Sequence, residues 1–251
     1  MDTMIRAVIF DLDGTLVQSE KLKARSYAIA AQRLLNLAEP DPRAIEAYRM
    51  IVGSSRDVAS HYVMERLGLQ VKLLPLVAQY GVSQPADVLS AMRKTIYDQM
   101  VADPQVLREN QWPHTVAFLR MVRRQGCKTG LATMSQRQEA LHVLRALNLE
   151  GELDVVLTRE DVQQPKPDPE IYLSACRLLE LLPKECLAIE DSPAGVRAAL
   201  AAGVETVAVA TPFTRELLRS ADLVPCRCLV EDPEMLVDTV AHCLTGRSAA
   251  I

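Results

Sequence analysis

Aromatic residues are scarce in this chain: one Trp, three Phe and six Tyr among 251 residues. Single-stranded nucleic acid binds on aromatic faces interleaved with basic side chains, so the shortage argues against such a partner. Nor is there a basic surplus. The 28 Lys and Arg stand against 32 Asp and Glu, a net charge of −4, whereas a nucleic-acid surface needs a cationic face. No apolar run approaches the roughly 20 residues of a membrane-spanning helix, so neither a nucleic-acid nor a membrane partner is expected. The first residues pass at once into a strand pattern, without the charged and apolar regions of a secretory signal. The six cysteines, at 127, 176, 186, 226, 228 and 243, include no Cys-x-x-Cys pair. That excludes a zinc ribbon or a dithiol redox motif and leaves free thiols in a reducing cytoplasm as the expectation. His61, His114, His142 and His242 are dispersed, with no metal-ligand spacing.

What is present is an alternation of short apolar runs with helical patterns. Ile5–Phe10, Lys128–Ala132, Asp154–Leu157, Cys186–Ile189 and Glu205–Val209 read as strands. Pro113–Arg124, Gln136–Leu147, Pro169–Leu182, Pro193–Ala202 and a final Pro233–Leu244 read as helices. Strands alternating with helices imply a parallel, Rossmann-like α/β sheet with helices on both faces. Asp41-Pro42, Asp168-Pro169, Ser192-Pro193 and Asp232-Pro233 each place a capping side chain before a proline at a helix start. Between Gln18 and Asp103 only helical periodicity occurs, over Ser19–Asn36, Pro42–Val52, Ser55–Leu67 and Ala86–Met100. The expectation is a helical cap domain over 18–105, inserted after the first strand of a catalytic core made of 1–17 and 106–251.

Ligands of open parallel sheets bind outside the carboxyl ends of the strands. Asp11 and Asp13 follow the first strand, Thr133 and Ser135 the second. Lys166 lies in the loop after the third, and Glu190-Asp191 ends the fourth. Four carboxylates in one crevice repel one another unless cations intervene. Hard oxygen ligands with room for water suit Mg²⁺, and a cationic site beside it suits a phosphate dianion. Lys166 can neutralise one charge and Thr133 can donate a hydrogen bond. Ser135 with Gln138 fits a capping box, whose helix N-terminus would attract an anion.

Asp11-x-Asp13-Gly14-Thr15-Leu16, Thr133, Lys166 and Glu190-Asp191 together resemble the four ordered motifs of the haloacid dehalogenase superfamily. The cap position, Lys166-Pro167-Asp168-Pro169 and Glu190-Asp191-Ser192-x-x-Gly195 resemble its β-phosphoglucomutase-like phosphatase branch. The resemblance implies that Asp11 is the nucleophile and that Asp13 is the acid and then the base. It implies that Asp11, the Asp13 carbonyl, Glu190 and Asp191 hold Mg²⁺, while Thr133 and Lys166 hold phosphoryl oxygens. The substrate implied is a small phosphate ester, sugar phosphates among them, hydrolysed in the cytoplasm by a monomer or homodimer. A second aspartate at Asp13 favours phosphate-ester chemistry over dehalogenation or phosphonate cleavage.

Val52-Gly53-Ser54-Ser55-Arg56-Asp57 resembles the cap loop that meets substrate in the mutases, with Arg56 at the phosphate-binding position. Ser54 and Asp57 also fit an ordinary capping box, but an arginine in a first turn opposes the helix dipole, a conflict that a bound anion relieves. Gln18 and Lys23 stand where the mutases keep an Asp and a His. Lys23 can bind an anion but cannot take the His role near neutral pH, which tilts the expectation from a hexose-phosphate mutase to a phosphatase. Ser135 joins Lys23 and Arg56 as an expected substrate contact. A third reading, a non-catalytic binding module on the same fold, would be expected to lack one of the acidic motif residues; here all are present.

Overall fold

The computed structural model describes residues 4–52 and 55–245. In chain order the elements are β1 (Ala7–Phe10), α1 (Ser19–Leu35), α2 (Pro42–Arg49), α3 (Arg56–Leu67), α4 (Gln70–Leu73), α5 (Val77–Tyr80), α6 (Pro85–Val101), α7 (Pro104–Glu109), α8 (Pro113–Arg124) and β2 (Lys128–Ala132). There follow α9 (Arg137–Ala146), β3 (Val155–Leu157), α10 (Glu170–Leu178), β4 (Cys186–Glu190), α11 (Pro193–Ala201), β5 (Glu205–Val209), α12 (Arg215–Ala221), β6 (Leu229–Val230) and α13 (Leu236–Thr245). The chain divides into two compact units, 1–18 with 107–251, and 19–106. Among the described residues no helix is long and apolar enough to cross a membrane.

The first unit is a six-stranded sheet in the order β3-β2-β1-β4-β5-β6, parallel throughout. The chain winds outward from β1 to one side, then returns and winds outward to the other. β1 is therefore the switch point where a crevice opens. Its four residues are all buried, the continuous apolar run expected of a strand covered on both faces. Ala7 and Ile9 pack into the cluster that includes Ile171, Tyr172 and Ala175 of α10 and Ala198 of α11. Phe10, on the opposite face, meets Phe118 of α8 edge-on, with centroids 6.1 Å apart. Register then fixes the rim: Phe10 pairs with Leu131 and with Ile189, so the residues just beyond these three emerge side by side.

The second unit packs α1, α2, α3 and α6 together. Small residues of α1 (Ala24, Ala28, Ala31) are buried and allow close helix approach. At its centre the Tyr27 ring lies 5.4 Å from that of Tyr48, and the Arg93 guanidinium sits 5.5 Å from the Tyr27 centroid. Tyr27 Oη and Ser60 Oγ share a hydrogen bond of 2.9 Å.

Several elements differ from the sequence reading for identifiable reasons. Strand β6 has only two residues, too few for a periodic signal. The helix expected over Pro169–Leu182 stops at Leu178, because Glu180 takes a left-handed φ of 57° and Leu181 N–H turns back to Cys176 O. Asp168 accepts from Glu170 N–H, two residues on, where the helix starts, and Pro169 takes the cap position expected of Asp168. The expectation of six free thiols is also corrected. Cys228 and Cys243 form a disulfide with Cα atoms 5.3 Å apart, while Cys127, Cys176, Cys186 and Cys226 are free. The reversal from β6 into α13 brings that pair together, and spacing along the chain carries no sign of it.

Asp41 caps α2 as expected. Its Oδ1 accepts from Arg43 N–H at 3.0 Å, and its Oδ2 accepts from the Arg43 guanidinium at 2.7 Å. The hydrogen-bonded Arg43 side chain holds the carboxyl below its usual range despite burial. A carboxyl lowered by folding stabilises above its unfolded pKa and loses that contribution as pH falls through its folded pKa. Asp41→Ala is expected to cost about 1 kcal/mol near pH 7. The gap from wild type should narrow as the buffer is taken below the carboxylate range, measured by urea unfolding across pH.

Candidate active site

The rim is assembled by backbone hydrogen bonds that run one residue past each strand. Asp11 N–H donates to Ile189 O at 3.0 Å and Thr133 N–H to Leu157 O at 3.0 Å. These extend the ladder and point the next polar groups out of the sheet. After Asp13 the chain reverses at Gly14, whose φ of 82° lies in the left-handed region that glycine occupies without steric penalty. A Cβ at Gly14 would overlap the Asp191 carboxylate.

Lys166 reaches the same point from the loop after β3. That loop is held by Glu170, whose carboxylate accepts Gln163 N–H at 3.0 Å and Gln164 N–H at 2.8 Å. The Lys166-Pro167 peptide within it is cis. Lys166 Nζ donates to Asp11 Oδ1 at 2.8 Å, Ala132 O at 2.8 Å and Glu190 Oε1 at 2.5 Å. All three N–H bonds of the ammonium are thereby used. Its side chain is only 5 % exposed, so these partners and not water hold the charge. Burial works to lower the Lys166 pKa, but the charges of Asp11 and Glu190 outweigh it and keep the ammonium protonated. Burial pushes the Asp11 carboxyl well above its usual range; Lys166 opposes the shift, while Glu190 and Asp13 add to it.

Glu190 ends β4 at the N-terminus of α11, where the helix dipole favours an anion. Its Oε2 faces Asp191 N–H at 3.2 Å and Ser192 Oγ at 3.3 Å. Ser192 caps α11 by accepting Gly195 N–H at 3.1 Å. Gly195 leaves the space that the Glu190 carboxylate occupies, since a Cβ there would overlap it.

On the other side of the rim, Thr133 Oγ1 accepts Ser135 N–H at 3.0 Å, which leaves its own proton to donate. Ser135 Oγ donates to Asp13 Oδ2. The expected Ser135–Gln138 capping box is not formed. Helix α9 starts at Arg137 with Gln136 as its cap residue, and Ser135 is committed to Asp13 instead. The Glu160 carboxylate accepts Arg137 N–H at 2.9 Å, so a protein carboxylate already stands at that helix start.

The structure thus brings Asp11, Asp13, Thr133, Ser135, Lys166, Glu190 and Asp191 to one rim. Lys23, half-buried on α1, and Arg56, the first residue of α3, belong to the helical unit. Ser54 and Gly53 lie outside the described residues; Ser55 caps α3 by accepting Val58 N–H. Tyr172 was not anticipated. Its hydroxyl donates to Glu190 Oε1 at 2.7 Å, and the one sequence signal was a phenol within the apolar face of α10, where a buried hydroxyl needs a partner.

One carboxylate oxygen each from Asp11, Glu190 and Asp191 lie within 4.8 Å of one another. With Asp13 the rim carries four carboxylates, of which Asp11 and Glu190 contact the Lys166 ammonium. This all-oxygen set, with its surplus of negative charge, fits a hard divalent cation such as Mg²⁺.

A parallel sheet with its carboxylates at the β1 switch point and a helical unit inserted after β1 defines the class of protein. The chain belongs to the haloacid dehalogenase-like hydrolases, whose family model matches residues 5–203. It is 32 % identical over 204 residues to the phosphorylated carbohydrates phosphatase of Thermotoga maritima, covering 81 % of this chain and 84 % of that one. It is 28 % identical to hexitol phosphatase A of Escherichia coli, over 87 % of this chain and 89 % of that one. The crystal structure of β-phosphoglucomutase from Clostridium difficile shares the fold, with a TM-score of 0.70 at 20 % identity over 98 % of this chain and 100 % of that one.

Alanine normally stabilises a helical site relative to glycine by about 1 kcal/mol. At Gly195 the opposite is expected: the added methyl displaces Glu190, and Gly195→Ala should lose about 1–3 kcal/mol through overpacking. Chemical denaturation of the variant beside wild type measures this.

Proposed function

We propose that this protein hydrolyses small phosphomonoesters, carbohydrate and sugar-alcohol phosphates foremost, through a phosphoryl group carried on Asp11. The observation that carries the reading is the buried Asp11–Lys166–Glu190 contact with Asp13 held beside it by Ser135. A carboxylate fixed by a protonated lysine in a dry site is a poised nucleophile, and a second carboxylate nearer solvent is placed for proton transfer. The names of the two relatives support the substrate class.

In this reading Asp11 attacks phosphorus and the bond to the ester oxygen breaks. Asp13 gives that oxygen its proton, so the alcohol leaves neutral. Asp13, now a carboxylate, takes a proton from water, which attacks phosphorus and frees Asp11 and inorganic phosphate. Ser135, donating to Asp13 Oδ2, sets the direction in which the Asp13 proton is offered. The Thr133 hydroxyl donates to a phosphoryl oxygen as charge moves onto it, and Lys166 does the same by turning one N–H from its resting acceptors. Mg²⁺, held by Asp11, the Asp13 carbonyl, Asp191 and Glu190, would supply Lewis-acid stabilisation of the phosphoryl oxygens. Arg56 and Lys23 are the proposed substrate contacts of the helical unit. Gln18 and Lys23, in place of the Asp and His of the mutases, favour transfer to water over return to sugar.

Phosphate release from a panel of sugar phosphates, sugar-alcohol phosphates and phosphoglycolate tests the reading. Release is expected with Mg²⁺, is expected to stop with chelator, and is expected to be abolished in Asp11→Asn with the fold intact. Substantial turnover by Asp11→Asn removes the nucleophile assignment. Arg56→Ala should lower kcat/KM for the preferred ester about tenfold or more, near 1.4 kcal/mol. p-Nitrophenyl phosphate should be little affected by that change, and equal losses on both esters would leave Arg56 a purely structural role.

A further inference from the structure

Tyr172 is fully buried, and the mechanism above leaves it without a task. Its ring fills the core beside Ile9, Ala132 and Ala188, a place that a phenylalanine would fill as well. The hydroxyl is therefore surplus to packing, and burying it is costly unless it is bonded. It donates to Glu190 Oε1 at 2.7 Å, the same oxygen that takes Lys166 Nζ at 2.5 Å. The Lys166 ammonium also lies 5.2 Å from the centroid of the Tyr172 ring, within cation–π range.

The terminal torsion of a glutamate is soft, so its donors determine the plane of the carboxylate. On Glu190 the contacts to Oε2 are long, 3.2 to 3.4 Å, and the two short ones both fall on Oε1. Without the phenol, Lys166 alone would hold Oε1, while the same ammonium also serves Asp11. Glu190 and Lys166 could then shift as a pair.

We propose that Tyr172 is a positioning residue: its hydroxyl sets the orientation of the Glu190 carboxylate and, through Lys166, of the Asp11 nucleophile. The kinetic half of this proposal rests on the phosphatase reading; the cation-binding half does not. Tyr172→Phe keeps the ring and removes only the donor. Calorimetric titration with Mg²⁺ is expected to show affinity about tenfold weaker than wild type, as when groups behind metal ligands are removed. In the steady state kcat should fall about tenfold with KM for the ester within about twofold, the pattern of lost transition-state stabilisation. The melting temperature should change little. Mg²⁺ affinity equal in the two proteins, or a wild type that takes up no Mg²⁺, overturns the proposal whatever the kinetics. A lowered melting temperature with unchanged affinity shows a structural hydroxyl and overturns it too. Wild type that binds Mg²⁺ but releases no phosphate from any ester removes the phosphatase reading, and the calorimetry still decides the role of Tyr172.

Discussion

One ammonium group holds the rim together. Lys166 Nζ divides its three donors among Asp11, Glu190 and the Ala132 carbonyl, and so ties β1, β2 and β4 at their carboxyl ends. Taking carboxylates out of water costs several kcal/mol each, on the order of a small domain's whole stability. Such groups persist only with a cation among them. Lys166 offsets part of that cost within the protein, and the remaining negative charge fits a divalent ion. The backbone around these groups yields to them: Gly14 and Gly195 occur where any side chain would overlap Asp191 and Glu190.

The sheet makes this convergence possible. β1 pairs on both sides, and its last residue is level with Leu131 and Ile189. A slip of one residue in either pairing would turn every side chain of that strand to the opposite face. It would take Thr133, or Glu190 and Asp191, out of reach of Asp11. The apolar faces that lock the register, Ile9 towards α10 and α11 and Phe10 towards α8, therefore also align the polar rim. Core packing and chemistry share one constraint.

The α/β class and the central strands were legible because buried parallel strands are continuous apolar runs and their helices have capped, proline-marked starts. Lys128–Ala132, Glu205–Val209 and Pro113–Arg124 have the limits expected from the sequence. The two-residue β6 and the single-turn helices α4 and α5 were not legible, since no period fits within them, whereas the equally short β1 and β3 showed as apolar runs. The residues gathered at the rim could be named from the polar groups after each strand. Their wiring could not. Whether Ser135 caps its own helix or turns to Asp13 depends on a one-residue difference in where α9 begins, and no propensity resolves that. Tyr172 was hidden for another reason: along the chain it is one more apolar-face residue, and only the fold shows that its hydroxyl lies against Glu190.

The Cys228–Cys243 link closes a covalent ring that contains β6 and most of α13. β6 is the edge of the sheet and pairs with β5 at two positions only. Ordinarily a pull on the last helix would unravel it turn by turn before the sheet felt any tension. With the ring closed, force applied beyond Cys243 passes directly to Cys228, the residue just ahead of the edge strand. The turns of the helix inside the ring are then shielded from the load, and the short edge strand meets it first. Opening the ring with a reductant restores the other order, the helix first and the strand after it.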